Sequence, residues 1–244
     1  MRAKQLLGGL SVLLASFFFY LSTVVIRNGL ETVSLNAKSY VVYRFLIGGL
    51  CVLILLVLKQ KVPKPVDQRF LIARAVTNFC AVYCFFEATE VTSAAQANIL
   101  NMTAPVFIAL FSWVLGIGKR DLLGYFISFL AFIGIVLTLD LTSSEIGLES
   151  LWGLASGIFA AIAIIFLNIS RRDNDIETVL FYLFIVGSVL SVAFFGADMY
   201  WPNDLEFKYL LVGSLFGIFG QFLLTYAFRY ISAVEGGVIG TSRI

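Results

Sequence analysis

Long runs of apolar residues separated by short polar breaks dominate this chain. A helix that crosses the hydrocarbon core of a bilayer needs roughly 20 apolar residues, because every backbone N–H and C=O must be paired within the segment. Runs of this length predict membrane-spanning helices at about 6–26, 39–58, 70–89, 93–117, 122–139, 150–170, 178–197 and 209–228. A ninth helix is predicted to begin near Tyr230, fourteen residues before Ile244.

One pattern within these spans returns at a constant distance along the chain. Residues 43–50 (YRFLIGGL) resemble residues 182–189 (YLFIVGSV), which begin 139 positions later. The same offset relates residues 70–73 to 209–212 and residues 88–101 to 227–240. The chain therefore carries one structural unit twice, and internal duplication in a membrane protein is typical of secondary transporters.

Composition excludes several classes of protein. With 60% hydrophobic and 13% charged residues, the 244-residue chain is too apolar for a soluble domain. The run at 6–26 is too long for a cleaved signal peptide and is interpreted as the first membrane helix. Three cysteines inside predicted spans and no histidine argue against a disulfide framework or a histidine-based metal site. No phosphate-binding motif is present, so no cofactor is expected.

The basic residues of the loops predict the orientation, because Lys and Arg near helix ends stay cytoplasmic. With the N-terminus inside, the cytoplasmic side holds Arg2, Lys4, Lys59, Lys61, Lys64, Arg69, Lys119, Arg120, Arg171, Arg172 and Arg229. The outer side holds only Arg27, Lys38 and Lys208. The first unit has five spans, an odd number, so the second unit enters the membrane from the opposite face.

The predicted fold class is an all-α integral membrane protein of two inverted five-helix repeats, residues 1–141 and 150–244. The offset places Ile244 opposite Pro105, so the second repeat stops within its fourth helix. About eight and a half helices of a ten-helix fold are then present, and we expect a functional form to need the remaining part of the second repeat.

Ionisable groups within a membrane are costly and are therefore candidates for function. Arg44 and Glu87 are both predicted in the outer half of antiparallel spans, where they could form an ion pair or bind a charged solute. Arg74 lies five residues after Arg69 and is expected to reach the cytoplasmic interface. Under the offset these three charges lack a charged counterpart in the other unit, which favours a role in solute chemistry over a role in the shared scaffold.

Uncharged polar residues complete the candidate substrate-binding set. Asn98, Asn101 and Pro105 share one face of the fourth span, and Pro105 is expected to kink it. The eighth span contributes Gln221, Thr225 and Tyr226. Hydrogen bonds between helices are the alternative explanation for these groups. Pairs of small residues, such as Gly213 and Gly217, are interpreted as helix-packing positions.

Four short motifs follow one another along the chain: Tyr43-Arg44-Phe45, residues 92–97 (TSAAQA), residues 103–107 (TAPVF) and the glycine-punctuated segment from Leu123-Gly124 to Gly134-Ile135. In this order they resemble the EamA family of the drug/metabolite transporter superfamily, whose members are bacterial ten-helix permeases. The segment 116–120 (GIGKR) departs from the Gly-Glu pair usual in the family. The resemblance implies a central cavity, alternating access and transport of small metabolites, often amino acids, in the cytoplasmic (inner) membrane.

The leading functional hypothesis is thus a multi-pass secondary transporter of the cell membrane. Its expected partners are a small-molecule substrate and the lipid bilayer; a homodimer is compatible with the sequence, and nucleic acid is not expected. One alternative is a membrane-embedded enzyme acting on a lipid or isoprenoid, for which Asp173, Asp175 and Glu177 form the only acidic cluster. Another is a non-transporting fragment or assembly subunit.

Overall fold

The computed structural model of the chain describes residues 2–33, 35–114, 126, 129–130, 133–134 and 147–241. Within these residues the ordered elements are helices, and no strand occurs. They are α1 (Arg2–Thr32), α2 (Ala37–Leu58), α3 (Gln68–Val91), α4 (Ala94–Asn101), α5 (Ala104–Val114), α6 (Ser150–Asp173), α7 (Ile176–Phe195), a 3₁₀ turn (Gly196–Asp198), α8 (Asp204–Ala227) and α9 (Ala233–Gly240).

Seven helical segments of the described ranges are long and apolar enough to cross a membrane. They correspond to the predicted spans except the fifth, at 122–139, most of which lies outside the described residues together with the motif segments at 116–120 and 123–125. The all-helical membrane fold is therefore confirmed. The predicted kink is also confirmed, because the fourth span divides into α4 and α5 just before Pro105, whose missing N–H leaves the Asn101 carbonyl without its helical donor.

Helix starts repeat at the offset read from the sequence. Asn36 caps α2 by accepting from the N–H of Ser39, and Asp175, 139 positions later, caps α7 by accepting from the N–H of Thr178. Ser93 caps α4 and Ser232 caps α9 in the same register, and both short helices then run for 8 residues. The duplicated segments therefore adopt the same local structure.

The equivalent helices α2 and α7 cross in opposite directions. The ring of Phe184 fills the space beside Gly48, and the ring of Phe45 fills the space beside Gly187. Adding the offset of 139 to the α2 residues of one contact gives the α7 residues of the other. Phe45 precedes Gly48 on α2, but its partner Gly187 follows Phe184 on α7, so the two helices run antiparallel. An antiparallel crossing of equivalent helices is the local signature of inverted repeats.

The two repeats interlock through their first helices. Helix α1 packs along α8 and also contacts α9, and these three helices are called the α1 bundle. Its counterpart, the α6 bundle, consists of α6 packed along α3, α4 and α5. Each bundle thus combines the first helix of one repeat with the third and fourth helices of the other, and the α2/α7 pair contacts both bundles.

Candidate functional site: a cationic cavity between the repeats

A cavity of about 160 Å³ lies between the two bundles. Both bundles supply its wall, and α2 contributes Arg44. Its polar lining among the described residues is Ser16, Ser22, Thr23, Arg44, Arg74, Asn78, Asn101, Gln221 and Thr241. Aromatic and aliphatic side chains make up most of the rest, so the cavity has the mixed lining usual for small-molecule sites.

Arg44 is buried, with 5% of its surface exposed, and its guanidinium lies against the backbone of α8 at Gly217. A Cβ atom at Gly217 would overlap the guanidinium, so the glycine provides the space that the arginine occupies. Nη1 of Arg44 donates to the hydroxyl groups of Tyr40 (3.2 Å) and Ser22 (3.4 Å). The guanidinium carbon also lies 5.8 Å from the centre of the Phe86 ring, within cation–π range.

Arg74 does not reach the cytoplasmic interface, so that prediction is wrong. Its side chain is 2% exposed and lines the cavity, because polar groups of both repeats hold it there. Nη1 donates to Asn78 Oδ1 at 2.9 Å and Nη2 donates to Gln221 Oε1 at 3.2 Å, while Gln221 Nε2 donates to the same Asn78 oxygen at 3.3 Å. These three side chains form a closed triangle of hydrogen bonds.

Neither arginine has an acidic partner among the residues that the structure describes. Arg44 and Glu87, which could have formed an ion pair, do not do so: Glu87 lies outside the cavity lining, and its Oε2 atom is buried without a hydrogen-bond partner in the described structure. No carboxylate is found among the described lining residues. The cavity therefore carries two fixed positive charges in a site of low polarity.

Of the two candidate asparagines of α4, one lines the cavity and the other does not. Asn101 lines the cavity, and its amide donates to the Ser156 hydroxyl of α6 at 2.9 Å. Pro105 lines it as well. Asn98 was predicted on the same face but is not part of the lining; its amide donates to the Ala94 carbonyl in its own helix. Both asparagines lie in α4 before the break, whereas Pro105 lies beyond it and still lines the cavity, so the break does not cause the difference.

Helix α8 places only one of its three candidate residues in the cavity. Gln221 lines it, whereas Thr225 and Tyr226 do not. Thr225 is fully buried, and its backbone carbonyl accepts a hydrogen bond from Arg171 Nε at 2.7 Å. The Tyr226 ring packs against Tyr230, with ring centres 5.3 Å apart.

Sequence reasoning missed polar lining residues on α1 and α3. Asn78 follows Arg74 by four residues, one helical turn, so their side chains lie on one face, and this spacing was an available signal. No sequence signal marked Ser22 of α1 as a lining residue, because its partners Tyr40, Arg44 and the Gly213 carbonyl belong to distant segments. Its position follows from tertiary packing alone.

Two of the three acidic residues considered for an enzyme, Asp175 and Glu177, pair with lysines at the loop between α6 and α7. Lys59 Nζ lies 2.6 Å from Glu177 Oε1, and Lys61 lies 3.4 Å from oxygens of both Asp175 and Glu177. Burial alone would raise the pKa of Asp175, but hydrogen bonds from Thr178 and the charge of Lys61 outweigh it, so this pKa lies below its ordinary value. The nearby carboxylates raise the pKa of Lys61.

Sequence comparisons agree with the fold. The sequence model of the EamA-like transporter family matches residues 6–139 and 147–243. The pseudopaline exporter CntI of Pseudomonas aeruginosa (strain UCBPP-PA14) is 29% identical over 236 residues, which are 93% of this chain and 80% of the exporter. An uncharacterized transporter of Helicobacter pylori (strain J99) is 26% identical over 97% of this chain and 82% of its own length.

Two proteins with lower sequence identity are also similar to this chain. Human solute carrier family 35 member G1 is 23% identical over 96% of this chain and 68% of its own length. A solved crystal structure superposes on this chain with a TM-score of 0.74. The match covers 100% of this chain and 85% of the chain in that structure. At 16% identity this likeness concerns the fold alone.

Fold and cavity together define a class: a duplicated, multi-pass helical membrane protein with a polar cavity between its copies, the architecture of secondary transporters. The matched segments cover nearly the entire sequence. The chain belongs to the EamA-like transporter family and is a membrane transporter.

Proposed function

We propose that this chain moves small metabolites, amino acids or related solutes, across the cytoplasmic (inner) membrane by alternating access. The observation that carries the proposal is the cavity between the two bundles, which takes its lining from both repeats. In such transporters the solute site lies at the interface of the repeats, near the middle of the membrane. An exporter and a solute carrier among the relatives support solute transport as the activity.

The packing suggests which parts move. Each bundle is extensively packed within itself, whereas direct contacts between α1 and the helices of the α6 bundle are sparse. Rocking of the α1 bundle against the α6 bundle about the α2/α7 pair would open the cavity first to one side and then to the other. The repeats that rock are proposed to be residues 1–141 and 150–244.

The proposed orientation keeps the N-terminus in the cytoplasm. Lys59 and Lys61 then lie at the inner end of the α2/α7 pair, and Lys38, which pairs with Asp198 at 3.5 Å, lies at its outer end. The excess of basic residues on the inner side supports this orientation.

Counterflow in proteoliposomes tests the proposed function. Vesicles loaded with an unlabelled solute should accumulate the same labelled solute transiently, and a panel of amino acids and related metabolites should contain at least one such solute. Ala160 of α6 lines the cavity, so Ala160→Trp should abolish this accumulation by filling the space.

Ala155→Trp places the same bulk on α6 at a position outside the lining and is the matched control, which should keep most of the activity. The proposal fails if no solute of the panel shows counterflow, or if both tryptophan variants transport like the unmodified chain.

A further inference from the structure

We infer that the cavity binds small organic anions, in which a carboxylate or phosphate group is held by Arg44 and Arg74 and an apolar body contacts the aromatic wall. The inference deepens the proposed transport function, on which it rests, by naming the charge class of the solute.

Charge pairing in the described structure separates the two cavity arginines from the paired cations. Four cations outside the cavity pair with carboxylates: Arg27 with Glu31, and Lys38, Lys59 and Lys61 with carboxylates of the second repeat. Arg44 and Arg74 are more deeply buried than any of these and have only neutral partners. A buried charge without a counter-charge is strongly destabilising, so an anion that enters the cavity gains much from meeting it.

Both arginines keep N–H donors that the described residues do not use. Arg44 uses Nη1 alone, so its Nε and Nη2 groups have no partner among the described residues. Two N–H groups on one edge of a guanidinium match the two oxygens of a carboxylate or phosphate. The Nε of Arg74 is likewise buried without a partner in the described part of the chain.

The two charges lie at different depths. Arg44 lies about 10 Å below the start of α2, and Arg74 lies about 9 Å above the start of α3, at 1.5 Å per helical residue. On α8 the Arg44 guanidinium contacts Gly217 and Arg74 donates to Gln221, one helical turn further along and about 6 Å away by helical rise. The cavity thus offers an anion two successive contacts on its way between the two sides.

The asymmetry of the repeats supports a role in binding. At the offset of 139, Leu183 stands opposite Arg44 and Gly213 stands opposite Arg74. The shared helical scaffold therefore forms in the second repeat without either charge. Both arginines are present in the first repeat and absent from the equivalent positions of the second, as expected of groups that bind a solute and not of groups that stabilise the shared fold.

The apolar lining defines the rest of the ligand. The rings of Phe19, Phe85 and Phe86 and the side chain of Ile108 line the same cavity as the arginines. Burial of apolar surface against these groups favours an organic anion with an aliphatic or aromatic body over an inorganic ion.

Binding of four compounds of similar size tests the inference on the purified chain in nanodiscs: benzoate, phenyl phosphate, benzamide and benzylamine. Benzoate or phenyl phosphate, or both, should raise the thermal unfolding temperature and give a saturable isotherm, and the comparison of these two separates carboxylate from phosphate recognition. Benzamide and benzylamine should bind at least tenfold more weakly. Binding of benzamide as tight as that of the better-bound anion, or no binding of either anion, would overturn the inference without the need for any variant.

Substitutions of the two arginines test whether they form the binding site. Arg44→Gln and Arg74→Gln should each weaken binding of the preferred anion at least tenfold, and Arg44→Lys, which keeps the charge but loses the planar fork, should weaken it less. Arg171→Gln is the matched control, because Arg171 is a buried arginine that caps backbone carbonyls of Thr225 and Asn174 outside the cavity. It should lower stability and leave the affinity unchanged. Undiminished binding by Arg44→Lys and both glutamine variants contradicts the inference.

A counterflow assay with the same compounds separates this inference from the proposed function. Saturable anion binding without counterflow by any solute would refute transport and leave the anion site in place. Counterflow of neutral or cationic solutes without anion binding would leave transport in place and refute the anion site.

Discussion

Arg44 and Gly217 illustrate how one residue of each repeat makes a site that neither could make alone. The glycine was interpreted from the sequence as a helix-packing position, and it is one, but the group packed against it is the Arg44 guanidinium. The absence of a side chain on α8 therefore sets the position of a cavity charge on α2.

We predict that Gly217→Ala impairs solute binding more than its effect on stability explains. The added methyl group would displace the guanidinium, so affinity should fall at least fivefold. Gly213→Ala is the control, because the methyl group there would overlap the apolar side chain of Ile26 instead. Both variants should unfold at lower temperature, and measured affinities should separate them. Equal affinities in the two variants would contradict the proposed role of Gly217.

The side-chain partners of the site were only partly predictable. Arg44, Asn101 and Gln221 line the cavity, whereas Glu87 and Asn98 do not. In a span that is apolar on nearly all sides, hydropathy does not tell which way a polar residue points, since lipid and protein interior are equally apolar. Arg74 was misplaced for a related reason: its partner Gln221 comes from the other repeat, 147 residues away.

Local signals in the sequence were sufficient to predict the helices, their equivalence between the repeats and the break in the fourth span. Run lengths predicted the spans, the offset predicted which helices are equivalent, and Pro105 predicted the break in the fourth span, because each depends on backbone chemistry within a few residues. The interlocking of α1 with α8 and of α6 with α3 was not predictable from one sequence, because it depends on contacts between remote segments.

The crossing of α2 and α7 predicts two mutations with matching effects. Gly48→Ala would overlap the ring of Phe184, and Gly187→Ala would overlap the ring of Phe45. Overpacking of this kind costs about 1–3 kcal/mol of unfolding free energy per site. Unfolding in detergent should give similar losses for the two variants, as the repeat symmetry requires. A loss confined to one variant would contradict an equivalent role of the two glycines.

The break between α4 and α5 yields a second prediction at this scale. Pro105→Ala restores a backbone N–H that can donate to the Asn101 carbonyl, so α4 and α5 should join into a straighter helix. If the break serves the opening of the cavity, the counterflow rate should fall several-fold without a loss of thermal stability. Pro65→Ala, in the loop between α2 and α3, is the control. A normal rate in Pro105→Ala would assign the break a purely structural role.

For the whole molecule, two inverted copies give a transporter a simple route to two states. If one arrangement of the bundles opens the cavity to one side, exchange of the roles of the two copies opens it to the other. The α2/α7 pair, with ion pairs near both of its ends, is suited to act as the fixed axis of this motion. One cavity is therefore proposed to open alternately to the two sides of the membrane.

The accessibility of a cavity residue from each side of the membrane tests this alternation. Ser16 lines the cavity on α1, and Ser16→Cys can be made in a chain whose three cysteines are replaced by serine. Ser191→Cys, buried on α7 outside the cavity, is the control and should stay unlabelled. In oriented vesicles, a small impermeant thiol reagent should label Ser16→Cys when applied to either side, and a transported solute should slow both reactions. Labelling from one side only would contradict alternating access.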